Sequence, residues 1–129
     1  MKQRTGVLLT LAAILLSASA WAHHNMTAIF NFNDRVMLSG TLKKVDWRNP
    51  HIELVVDAKT GNEVQSWSLE GPPPSFFRAR DINRSDVEAA LGKLVTAEAS
   101  RARDGSRSGL LRVITLPGGK VVSACPQNC

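Results

Sequence analysis

The sequence predicts a mainly β fold, a small barrel of five or six strands with a short helical connection between the third and fourth strands. Apolar and polar residues alternate in several segments between residues 35 and 117, as they do in half-buried strands. Glycine, proline and asparagine separate these segments and predict turns. Only residues 71–92 interrupt the alternation with the signals of helix starts and stops.

The beginning of the chain has the three parts of a secretory signal peptide. Two basic residues precede an apolar run over residues 6–16, and Ala20-Trp21-Ala22 has the small-x-small form that signal peptidase accepts. This run is shorter than the roughly 20 residues of a membrane span, which favours cleavage over an uncleaved anchor. We therefore expect a periplasmic or secreted protein that is not a transmembrane protein after cleavage.

Cleavage after Ala22 divides the chain into a signal peptide (1–22), a barrel domain (23–122) and a tail (123–129). It leaves 14 Lys and Arg against 11 Asp and Glu, a mild formal charge of +3. An exported protein rarely meets nucleic acid, and the aromatic residues are too few for a base-stacking surface. We therefore expect no nucleic-acid partner.

The first three strands are predicted from residues 35–47, 51–58 and 64–70, where apolar and polar residues alternate, imperfectly in the third. In the first of them the alternation shifts by one residue at Lys43-Lys44. This shift and Gly40 predict a bulge or bend that lets one strand serve two sides of a curved sheet. A glycine-containing hairpin turn joins the second and third strands.

The pattern changes after the third strand. Three prolines precede a short helix predicted over residues 75–80. A second short helix is predicted with Ser85 as its N-cap and Gly92 as its stop. The remaining strands are predicted at residues 93–103, 109–117 and 120–124.

Three meander strands, a helical connection and two further strands follow the order of an OB-fold, a small Greek-key barrel. The long, bent first strand supports this, because in that barrel it pairs on both sides. A five- or six-stranded sandwich is the alternative. Either has a small core, with Trp47, Leu54, Val56, Trp67, Leu69, Phe76 and Phe77 as its predicted members.

Several motifs together resemble a family of small exported bacterial proteins of unknown function. The resemblance covers residues 23 to about 121 and implies no enzymatic activity. The motifs are His23-His24 at the mature start, Trp47 with Asn49-Pro50-His51, Glu70-Gly71 and Arg103-Asp104-Gly105-Ser106.

Catalysis is the weaker class of function for this sequence. It contains no Gly-x-Ser-x-Gly elbow, phosphate-binding glycine loop or His-Glu-x-x-His, and its three histidines limit any triad. A weak enzyme stays open as a third alternative.

Metal binding is the sharper hypothesis. A mature N-terminal His23 offers its α-amine and its ring nitrogen to one ion as a chelate. One further imidazole completes a three-nitrogen set that suits Cu(II). We therefore expect a copper or other transition-metal site at His23, His24 and His51. The alternative is that these are solvated side chains, with His51 hydrogen-bonded to a neighbouring loop.

A non-metal binding module is the second hypothesis. Arg103, Arg107 and Arg112 surround the turn DGSRSG and would meet an anionic group through paired hydrogen bonds. A solvated hairpin that keeps the domain soluble is the alternative interpretation of these arginines.

The two cysteines, Cys125 and Cys129, end the chain. In an oxidising compartment we expect them to form a disulfide that closes a small ring in the tail. A pair of thiolates for a soft metal such as Cu(I) is the alternative.

Overall fold

The computed structural model describes residues 26–125, and its six strands form one sheet that closes on itself. Two short helices, α1 (Pro74–Arg78) and α2 (Arg84–Glu88), lie between the third and fourth strands. The mainly β fold and the position of the helical connection are therefore confirmed. The strands are β1 (Phe30–Asp46), β2 (Glu53–Thr60), β3 (Glu63–Glu70), β4 (Leu94–Ala102), β5 (Ser108–Thr115) and β6 (Val121–Ser123).

The sheet has the strand order β3-β2-β1-β4-β5-β6, and an additional pairing joins β3 to β5. This closing pair is parallel and short, with Ser68 opposite Ser108 and Glu70 opposite Leu110. All other neighbouring strands are antiparallel. Strands β1 to β5 therefore form a ring, and β6 extends the edge of β5 beyond its contact with β3.

Strand β1 takes part in the ring twice. Its residues 35–41 pair with β4, and its residues 40–46 pair with β2. The two pairings overlap at Gly40, where a Cβ atom would lie 2.1 Å from the carbonyl oxygen of Asp57. A register shift between Leu42 and Lys44 confirms the predicted bulge. Gly40 is thus a glycine because the backbone of β2 occupies the space of a side chain.

The core fills the ring and continues under the helices. Leu54, Val56, Trp67, Leu69 and Phe77 are buried, as expected from the alternation. The other two predicted members, Trp47 and Phe76, are partly buried and pack against this core, with the Trp47 and Phe77 rings 5.0 Å apart.

The cap of α2 differs from the prediction. Asn83, in an extended conformation, occupies the N-cap position, and its backbone N–H donates to Asp86 Oδ2 at 2.8 Å. Ser85 lies within the first turn instead. The helix therefore begins two residues earlier than predicted, because Asn makes the same capping hydrogen bonds as Ser.

We expect Gly40→Ala to destabilise the protein by about 3 kcal/mol or more, because the new methyl group collides with backbone rather than with a flexible side chain. Gly105→Ala is the control, since it has a positive φ but nothing within 4 Å of its Cβ position. It should cost about 1 kcal/mol. Urea unfolding of both variants measures the difference, and equal losses would contradict the collision.

We expect Asp86 to make stability depend on pH. The Asn83 N–H and the Lys120 ammonium hold the pKa of Asp86 below its ordinary value of 3.8. The carboxylate therefore stabilises the fold above that value, and this stabilisation is lost as the pH falls through the lower, folded-state pKa. The difference in unfolding free energy between the wild type and Asp86→Asn should shrink between about pH 6 and about pH 3. A constant difference would show that the charge of Asp86 does not matter.

Candidate functional site

The β1–β2 loop and the segment that follows β3 lie side by side. The backbone N–H of Gly71 donates to the Ile52 carbonyl at 2.9 Å, and the N–H of Ile52 donates to the Pro72 carbonyl at 3.3 Å. A Cβ atom on Gly71 would lie 2.8 Å from Cγ1 of Ile52. This close approach brings together two motifs that are separate in the sequence, Asn49-Pro50-His51 and Glu70-Gly71.

The imidazole of His51 and the carboxylate of Glu70 are in hydrogen-bond contact at this junction. Nδ1 of His51 lies 2.6 Å from Oε1 of Glu70, and the two side chains are 40% and 35% exposed. A proton on Nδ1 directed at the carboxylate leaves the lone pair of Nε2 available to a ligand. Carboxylates commonly hold metal-binding histidines in this way. The sequence alone did not indicate this role of Glu70, although the Glu-Gly motif marked its position.

The carboxylates nearest in sequence to His51 already have cationic partners. Lys44 Nζ lies 3.3 Å from Glu53 and 3.8 Å from Asp46, and Arg48 lies 2.8 Å from Asp46. Within residues 26–125, no group of three or more His, Cys, Asp or Glu side chains is placed to hold a metal ion. A metal at His51 therefore needs ligands from elsewhere in the chain.

The other predicted metal ligands, His23 and His24, lie outside the described residues, as does the predicted signal peptide. Cys125 is the last described residue and Cys129 lies beyond it, so their disulfide stays a prediction. No helix within the described part of the chain is long and apolar enough to cross a membrane.

Arg103 holds the N-terminal segment against the end of β4. Its Nε donates to the Thr27 carbonyl at 2.9 Å, and its backbone N–H donates to the Ile29 carbonyl at 2.8 Å. Residues 26–29, which precede β1, are helical. The start of the described chain is therefore fixed beside the β4–β5 turn.

The three predicted anion-binding arginines do not form one exposed surface. Arg107 is exposed, but Arg112 is only 7% exposed. The Arg112 guanidinium donates to Ser100 Oγ at 3.1 Å and lies 3.4 Å from Glu98. It is thus engaged within the protein, in an environment that sequence spacing did not reveal.

Arg101 and Trp67 form a further contact that the sequence did not predict. The guanidinium carbon of Arg101 lies 5.4 Å from the Trp67 ring centroid, and its Nε lies 3.5 Å from Asp34. The buried indole N–H of Trp67 has no hydrogen-bond acceptor within residues 26–125. Three different strands supply these side chains, so no local signal marks the contact.

A family profile described as a family of unknown function (DUF6152) matches residues 12–112, which is well over half of the chain. The chain belongs to this family. The resemblance to a family of unknown function is thereby confirmed, and the DUF6152 match includes both His51 and Glu70. No curated protein and no solved structure was found to match the chain.

We expect Arg103→Gln to loosen the N-terminal segment without unfolding the barrel. Loss of one hydrogen bond, worth about 1 kcal/mol, should speed amide hydrogen exchange near Ile29 and Phe30 by about fivefold. Arg107→Gln is the matched control, since no described residue binds its guanidinium. Equal exchange in the two variants would show that Arg103 does not anchor the segment.

Proposed function

We propose that this protein is a small exported, periplasmic binding or accessory protein that binds copper or another transition metal. Its ligands are the amine and ring of a mature N-terminal His23 together with His24 and His51. The observation that carries the proposal is the contact between His51 Nδ1 and Glu70 Oε1 at 2.6 Å, which fixes the ring and leaves Nε2 as the nitrogen open to a ligand.

We further propose that the barrel is of the OB type. The ring order β1-β2-β3-β5-β4, the parallel β3–β5 closure and the helices between β3 and β4 support this assignment. OB-folds bind ligands on the face of the second and third strands and on the loops between strands one and two and between four and five. His51 lies in the first of these loops, where a ligand is expected.

The tether at Arg103 supports the participation of the N-terminus. Arg101, near the end of β4, pairs with Gly109, and Glu70, at the end of β3, pairs with Leu110. The start of β5 thus separates them by two strand spacings, about 10 Å. The proposal requires the residues that precede the anchored Thr27 to bring His23 across to His51.

The alternative is a module that binds an anionic ligand or a protein through Arg103, Arg107 and Arg112. Arg112 is buried and Arg103 is engaged by the Thr27 carbonyl, so neither is free to bind an anion. This alternative therefore has less support than the metal site. In that case, truncation of the exposed Arg107 would weaken ligand binding and leave the metal content unchanged.

The proposal predicts tight one-to-one binding of Cu(II) by the exported protein, once mass spectrometry has shown that it begins at His23. One alanine inserted before His23 should abolish the tight site, because it separates the amine from the first imidazole. His51→Ala removes a ligand and should weaken binding further than Glu70→Gln, for which we expect a loss of about 10- to 100-fold. Isothermal titration under a competing chelator measures all four proteins.

Glu53→Gln is the matched control, because Glu53 is also a half-exposed carboxylate on this face but is paired with Lys44. It should bind Cu(II) as the wild type does. If the added alanine leaves the Cu(II) affinity unchanged, the N-terminal site is overturned. If His51→Ala and Glu70→Gln leave the Cu(II) affinity unchanged, the role of the loop is overturned.

A further inference from the structure

A groove of about 510 Å³ crosses the outer face of the sheet at the bend of β1. It forms where β1 passes from its pairing with β4 to its pairing with β2, at Gly40. The absence of a side chain at Gly40 keeps the backbones of β1 and β2 close. The neighbouring side chains of Ser39 and Thr41 line the groove and offer two hydroxyl groups.

Apolar side chains mark the two ends of the groove. Leu94 on β4 is 67% exposed, and Val64 on β3 is 63% exposed. Leu94 pairs with Thr41, and Val64 pairs with Lys59 on β2. The apolar ends are therefore three strand spacings apart, about 14 Å. A ligand that contacts the middle of the groove and one apolar end must therefore be elongated and lie across the strands.

Positive charge lies between these ends. Lys43 and Lys59 line the groove, and neither has a carboxylate within ion-pair distance among residues 26–125. The carboxylate of Asp57, also in the lining, accepts a hydrogen bond from the hydroxyl of Ser66. Lys44, by contrast, is paired with two carboxylates. The groove thus presents two ammonium groups and one carboxylate, a net positive charge, beside exposed apolar surface.

We propose that this groove binds an anionic amphiphile, a small molecule with a carboxylate head and an alkyl chain. The head contacts the ammonium groups of Lys43 and Lys59, and the chain covers Leu94 or Val64. The groove volume lies within the range of roughly 300 to 1,000 Å³ that is usual for small-molecule sites. The proposal shares no residue with the metal site, so either can fail without the other.

The test is a titration of the exported protein with decanoate below its micelle concentration, followed through backbone amide shifts. Decylammonium has the same chain with the opposite charge, and acetate has the head without the chain. We expect decanoate to shift the amides of residues 39–43, 57–59, 64 and 94, and to bind at least tenfold more tightly than either control. Equal binding of decylammonium, or decanoate shifts confined to other parts of the barrel, would overturn the proposal.

Substitutions then separate a built site from general attraction to a basic protein. The double variant Lys43→Gln/Lys59→Gln should bind decanoate at least tenfold more weakly, and Leu94→Ser should weaken it severalfold. Lys44→Gln removes a charge next to Lys43 in the chain and should leave the affinity unchanged. All of these positions are exposed, and thermal unfolding verifies that the variants are folded. If Lys44→Gln loses as much decanoate affinity per removed charge as the double variant, the assignment is contradicted.

Discussion

The double pairing of β1 connects the two halves of the barrel. One 17-residue strand pairs with β4 through its first part and with β2 through its last. At Gly40, where the two pairings overlap, β1 bends from one partner to the other. The parallel contact between β3 and β5 joins only three residue pairs, so it closes a ring that β1 has already curved. A small barrel depends on such a bend, since a flat sheet does not close.

Closure of the ring decides which loops become neighbours. It places the start of β5 between the ends of β3 and β4, and so brings the β4–β5 turn and the anchored N-terminal segment towards Glu70. The His51–Glu70 contact is partly exposed, and contacts of this kind at the surface contribute at most about 1 kcal/mol to stability. Its physical effect is therefore on the orientation of one imidazole ring rather than on the fold. Chemistry on this protein is expected at such connections, which the barrel positions.

The cationic side chains divide into two groups with different physical roles. Arg112 is buried and contacts Glu98 and Ser100. Removal of either partner would leave a buried charge without compensation in a medium of low polarity. Lys43 and Lys59 remain in solvent beside apolar groups. Arg103 and Arg112, on either side of the β4–β5 turn, therefore help to assemble the structure, whereas Lys43 and Lys59 leave charge available to a ligand. Composition alone does not distinguish these groups, because each arginine or lysine adds one positive charge whether it is buried or exposed.

Local patterns in the sequence were enough to predict the strands, the helical connection, the bulge near Lys43-Lys44 and most of the core. Alternation and turn residues depend only on residues that are close in the sequence, so they can be interpreted without knowing the fold. The cap at Asn83 was displaced by two residues, since several side chains nearby satisfy the same hydrogen bonds. Only the tertiary structure decided the β3–β5 contact, the partnership of His51 with Glu70, the burial of Arg112 and the groove at Gly40. Each of these joins residues from different strands, and their proximity depends on how the ring closes rather than on any spacing along the chain.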